Sequence, residues 1–197
     1  LRPVETVVAQ SPGVVPETVF QSDVPVVIQG LTTEWPALNA SDLEGMERYL
    51  SGFWIDRPVV AYVGASGIDG RFFYDEHFTG FNFKGGSAPL AQTFERLREQ
   101  ESNEEGLAIY VGSTPVDGWL PGFRGANDIK IPAEEPLVSF WLGNKTRISA
   151  HYDYPDNIAC VVAGTRRFTL FPPEQIGNLY VGPVDKTPSG QAISLVD

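Results

Sequence analysis

Between Leu107 and Phe171 the chain breaks into short apolar segments joined by tight turns, and this rhythm constrains its fold more than any other feature. The segments are Leu107–Val111, Leu137–Leu142, Arg147–His151, Asn157–Val162 and Arg167–Phe171. Each has the length of a strand and is too short for an ordinary helix. The connections carry Gly143-Asn144, Pro155-Asp156 and Ala163-Gly164-Thr165, residue types that let a chain reverse. Strand after strand with short turns predicts an antiparallel sandwich or barrel. The first half is mixed. Val24–Gln29 and Pro58–Gly64 read as strands, and Arg71–Tyr74 and Phe81–Phe83 as strand-like pieces between glycines. Ser41-Asp42 predicts the cap of a short helix carrying Leu43, Met46 and Leu50. Ser87 predicts the cap of a second helix, Ala88 to Glu99, with Leu90, Phe94 and Leu97 on one face. Pro172-Pro173 stops the last strand, and Pro173–Ile176 predicts a helical turn. The expected fold class is mainly β with a mixed α/β amino-terminal part, in one domain over residues 1–197.

Charge and cysteine content narrow the function. The net charge of −11 repels phosphate backbones and anionic lipid, so neither nucleic acid nor membrane is expected as a primary ligand. Cys160 is the single cysteine, so an intramolecular disulfide and a cysteine-based zinc site are excluded. The reading is a reducing compartment, the cytoplasm, with Cys160 a small buried hydrophobe in an apolar strand. No stretch reaches the roughly 18 apolar residues that span a bilayer. Gly64–Gly70 lacks the Lys-Ser/Thr ending of a phosphate loop. Trp35, Trp54, Trp119 and Trp141 read as core or rim aromatics.

The chain holds two histidines, His77 and His151. His151 lies in Ser149-Ala150-His151-Tyr152-Asp153. Alternate residues of a strand share a face, so His151 and Asp153 point together and Tyr152 points away. One imidazole and one carboxylate on one face are two of the three ligands of a facial triad, which leaves metal positions open on one side. The tripeptide by itself is a weak signal, because such a pair is often only a surface hydrogen bond. His77, in a Tyr-Asp-Glu-His run, reads as a loop histidine. Downstream, Arg166 and Arg167 face opposite sides of their segment. Phe168 and Leu170 turn Arg166 inward, whereas Phe171 favours the other phase. An inward arginine could fork onto a carboxylate, and a solvated pair is the alternative.

The run Ile148 to Pro173 (ISAHYDYPDNIACVVAGTRRFTLFPP) resembles the cupin-like, JmjC-type 2-oxoglutarate oxygenases, in the branch of the hypoxia-inducible-factor asparaginyl hydroxylase. Pro25–Leu38 and Tyr74–Leu90 add softer matches, so the resemblance covers the chain from about residue 20 onward. It implies a double-stranded β-helix, or jelly roll, with His151 and Asp153 as the first two ligands of Fe(II). It further implies that Arg166 and Tyr110 hold the distal carboxylate of 2-oxoglutarate and that Asn157 lines the same pocket. With O2 as the other substrate, the implied activity is hydroxylation of a protein or peptide side chain. The last metal ligand of such proteins, a late histidine, would fall beyond Asp197. The expectation is therefore a longer protein, whose further strands and helices complete the barrel and build a homodimer. Ile148 stands where some relatives carry a hydroxyl residue, and Arg166 where they commonly carry lysine. The rival reading is a non-catalytic cupin, a binding or scaffold domain with an incomplete metal site. Nothing in these residues supports histone demethylation.

Overall fold

A computed structural model describes residues 3–40, 42–103, 105–132, 136–188 and 190–196. Its contacts divide the chain into two compact units. The first comprises Leu1–Ile55, Pro115–Ser139 and Cys160–Gly164; the second comprises Asp56–Thr114, Phe140–Ala159 and Thr165–Asp197.

In the first unit, β1 (Glu5–Val8) pairs in parallel with β2 (Val26–Gln29), and the short α1 (Glu17–Phe20) lies between them in sequence. Helix α2 (Leu43–Ser51) begins at Asp42, whose carboxylate accepts from Gly45 N at 2.7 Å. The apolar spacing then buries Met46 and Leu50. Ser41 lies outside the described residues. Replacing Asp42 with alanine removes the cap, and thermal unfolding should show about 1 kcal/mol of lost stability. A short helix, α4 (Val116–Trp119), also belongs to this unit. Asn127, 2% exposed, knits this unit together. Its amide nitrogen donates to Tyr49 Oη (2.8 Å) and Phe123 O (3.0 Å), and its oxygen accepts from Ala37 N (3.1 Å). Every polar atom of the buried amide is thereby engaged, which burial demands. Trp35 donates to Asp128 O at 3.0 Å, a structural role as read from the sequence.

The second unit is built on a four-stranded sheet. Strands β3 (Val59–Gly64), β5 (Phe83–Ala88), β6 (Ala108–Pro115) and β7 (Ser139–Gly143) lie in the order β5-β3-β6-β7. Both neighbours of β3 run antiparallel to it, with Tyr62 opposite Gly85 on one side and Tyr110 on the other. Val59, Ile109 and Val111 are at most 1% exposed, the mark of a packed core rather than a surface sheet. Gly85 is a glycine for a local reason: a Cβ there would come within 2.8 Å of the Tyr62 ring. The ring instead lies against the bare backbone and stacks on Tyr110, centroids 6.4 Å apart. A second, parallel pair joins β4 (Arg71–Phe72) to β8 (Arg147–Ile148). Helix α3 (Leu90–Gln100) buries Leu90, Phe94 and Leu97, the stripe read from the sequence.

Three expectations need correction. Ser87 does not cap α3; it stays in the β5 ladder opposite Val60, and Pro89 occupies the cap. Proline supplies no N–H to a ladder and suits the first turn of a helix, so the strand ends and the helix begins around it. Asn157–Val162 and Arg167–Phe171 are not strands. Their apolar residues favour extended backbone, yet no neighbouring strand pairs with them among the described residues. Propensity without a partner does not make a ladder. Ile158, Phe168, Leu170 and Phe171 are accordingly exposed. Arg147–His151 is a strand only through Ile148. The described residues consequently hold similar shares of helix and strand, less β than expected.

Candidate metal centre

All five residues singled out from the sequence lie in the second unit. His151 and Asp153 sit just beyond β8, where the chain leaves the parallel pairing with β4. The His151 Nδ1 atom is 2.9 Å from Ser149 O. A carbonyl can only accept, so Nδ1 carries a proton, and in the neutral ring the lone pair lies on Nε2. That lone pair faces Asp153 Oδ1 at 3.8 Å, with the two side chains 28% and 42% exposed. Tyr152, between them, is 71% exposed, and no strand runs through these three residues.

Neutral amides hold the carboxylate. Asn157 Nδ2 donates to Asp153 Oδ2 at 3.1 Å and to Pro155 O at 3.2 Å. Gln191 Nε2 donates to Asp153 Oδ1 at 2.7 Å. Among the described residues no lysine or arginine pairs with Asp153, and the basic side chain nearest it is His151. Asn157 thus stands beside the metal edge, with its amide oxygen free of these bonds.

Tyr110 and Arg166 form the second cluster. Tyr110 lies on β6 behind the Tyr62 ring, half-buried. Burial pushes its phenol above the usual value, and Tyr62 and Asp153 push the same way. The nearby Arg166 guanidinium pulls it back only in part. The phenol therefore stays protonated and can donate. Arg166 lies near Tyr110, but Phe168, Leu170 and Phe171 are all exposed, so the alternation of this segment marks no core side. Arg166 is itself exposed, and its guanidinium also sits 5.7 Å over the Phe168 ring.

The remaining sequence candidates have structural roles. His77 is exposed in a turn whose amides at His77 and Thr79 donate to Asp75 Oδ1. Cys160, in the first unit, is half-buried; burial pushes its thiol up and nearby Asp128 adds to this, so it is a poor nucleophile at neutral pH. Sequence reasoning missed two residues. One is Gln191. The other is Ser149, 4% exposed, whose Oγ has no hydrogen-bond partner among the described residues. An alternation of Ile193 and Leu195 with Ser194 near the end of the chain was the available signal for Gln191.

The pair fits a divalent cation as part of its ligand set. An imidazole nitrogen and a carboxylate oxygen 3.8 Å apart lie within the roughly 4.2 Å that one ion, bonded to each at about 2.1 Å, could bridge. The orphaned Ser149 hydroxyl two residues away is a buried polar atom of the kind found beside ligands. Among the described residues no group of three or more His, Cys, Asp or Glu side chains gathers for a metal. No helix among them is long and apolar enough to cross a membrane.

Comparison with known proteins agrees with this picture at the level of family. The sequence model of the cupin-like domain matches residues 13–197. A 48-residue stretch is 38% identical to a protein named lysine-specific demethylase JMJ31 from Arabidopsis thaliana. That stretch is 24% of this chain and 9% of the Arabidopsis protein, so the chain matches only a small part of that relative.

Proposed function

Because this chain belongs to the cupin-like domain family, we propose that it serves an iron(II)- and 2-oxoglutarate-dependent oxygenase that hydroxylates a protein or peptide side chain. The observation that carries this reading is the free Nε2 of His151 facing Asp153 Oδ1 at 3.8 Å. On this reading the chain is functional kin of the asparaginyl hydroxylases, and the complete fold is a jelly roll. The family match runs through both units, which supports residues 13–197 as one domain. The net charge supports a protein or peptide partner over nucleic acid or membrane; the single cysteine supports a reducing compartment, the cytoplasm, and a homodimer follows from the family resemblance.

His151 and Asp153 would hold the iron, whose chemistry when bound is the activation of O2 and the oxidation of 2-oxoglutarate to succinate and CO2. His151 gives a lone pair whose direction is fixed by the Nδ1–H bond to Ser149 O. Asp153 gives negative charge that no lysine or arginine pairs with among the described residues. Arg166 and Tyr110 bind the far carboxylate of 2-oxoglutarate. The guanidinium supplies a two-pronged cation, and the protonated phenol supplies a neutral donor. Asn157 lines the same pocket, where its amide oxygen can hold a water that donates to the cosubstrate.

The test is succinate formation from 2-oxoglutarate by the full-length protein, with and without Fe(II) and a chelator. Turnover that stops on metal removal supports the oxygenase. A folded protein that makes no succinate under any metal condition supports the non-catalytic cupin instead. Arg166→Ala should raise the KM for 2-oxoglutarate about 10- to 100-fold with a smaller change in kcat, the worth of a charge-assisted contact to one carboxylate. Steady-state kinetics at varied 2-oxoglutarate checks this.

A further inference from the structure

The segment that ends the described chain does more than close the unit. Ser194 N donates to Ala150 O at 2.7 Å, which ties this segment to the metal-binding edge. Three residues on from Ala150 and three back from Ser194, the offset of two segments running in opposite directions, Asp153 meets Gln191. That is where its Nε2 donates to Oδ1 at 2.7 Å. Ile193, 2% exposed against Phe73 and Tyr74, anchors the segment between these two contacts. Gly182 N and Leu195 N add backbone bonds to Ile193 O and Tyr180 O on the other side. Gln191 is therefore delivered to Asp153 by a register fixed at several points, not by a free tail.

From this geometry we infer that Gln191 is a positioning residue for the metal-binding carboxylate, acting with Asn157 as a neutral amide clamp on Asp153. This rests on the oxygenase reading of the site. One amide holds each carboxylate oxygen, which fixes the rotation of the group about its last bond. Oδ1 keeps a second lone pair, and it is this oxygen that faces His151 Nε2. The choice of amides matters electrostatically. A lysine or arginine in either place would hold the carboxylate equally well but cancel the charge a cation requires. Carbonyl-bearing neutral donors set direction and leave the charge intact.

The experiment compares Gln191→Met with the unaltered full-length protein. Methionine keeps the length and apolar contacts of glutamine and removes the donor. Co(II) affinity is read by titration calorimetry without cosubstrate, and the fold is checked by thermal melting. The clamp predicts about 10-fold weaker Co(II) binding by Gln191→Met at unchanged melting temperature, with Asn157→Ala adding a further loss. Equal affinity of Gln191→Met and the unaltered protein overturns the inference. A metal-free readout separates this from failure of the oxygenase reading. In the unaltered protein the Gln191 side-chain NH2 signals should be shifted and protected from exchange by NMR, and should revert to free-amide behaviour in Asp153→Ala. A protein that binds no Co(II) yet shows the protected amide overturns the metal reading while the contact stands. One whose amide behaves as free overturns the clamp itself.

Discussion

Iron-dependent succinate formation should fall by about three orders of magnitude or more when His151 is replaced by glycine. The imidazole provides one of the two ligand atoms that the described residues bring together. Loss of a metal-ligand bond removes several kcal/mol of stabilisation, and each 1.36 kcal/mol is tenfold in rate. Of the two ligand atoms, only the half-exposed carboxylate of Asp153 would remain to hold the ion. The structural cost should be small. His151 makes one backbone hydrogen bond, to Ser149 O, worth about 1 kcal/mol, and it is not part of the packed core. Activity and stability should therefore separate: a melting temperature within a few degrees of the original, with turnover lost. Free imidazole in the assay should restore part of the activity to His151→Gly, since the cavity left behind accepts the missing ligand. Full activity in His151→Gly would remove this residue from the metal centre.

Phe94→Ala should have the largest effect on stability. Phe94 is 0% exposed in the middle of α3, between Leu90 and Leu97 on the same stripe. Truncating a buried phenylalanine costs about 3–5 kcal/mol through lost transfer energy and the cavity it leaves. For a chain of this size each kcal/mol is about 2–4 °C of melting temperature, so a drop of roughly 10 °C is expected by calorimetry. Phe168→Ala provides the contrast. That ring is 55% exposed and should cost well under 1 kcal/mol. Similar shifts for the two variants would mean that α3 is not part of the cooperative core.

The elements legible in the sequence were those fixed by local chemistry. The α2 cap at Asp42, the Leu90–Phe94–Leu97 stripe and the β3 run at Val59–Gly64 need only their own residues to be recognised. The strand-like runs after Asn157 were misread because a strand is a relation between two segments, and sequence shows one at a time. Ser87 was misread because a good capping residue also fits a strand end, and Pro89 two residues later decided the matter. At the candidate site, the His151–Asp153 pairing follows from a two-residue spacing and was visible. Gln191 was not, because 38 residues separate it from Asp153 and only the placement of the closing segment joins them. Arg166 was ambiguous in phase because Phe168, Leu170 and Phe171, the residues whose alternation would set it, are all exposed. An arginine beside a half-buried phenol leaves no mark in alternation.

The central claim is that His151 and Asp153 hold an iron(II) ion that 2-oxoglutarate can chelate. The most direct measurement is the visible absorption of the full-length protein with Fe(II) under argon, recorded before and after 2-oxoglutarate is added. A weak charge-transfer band that grows on addition, saturates near one equivalent and is missing in Asp153→Ala is the predicted result. A folded protein that gives no band at saturating iron and 2-oxoglutarate, or a band that persists unchanged in Asp153→Ala, would contradict it.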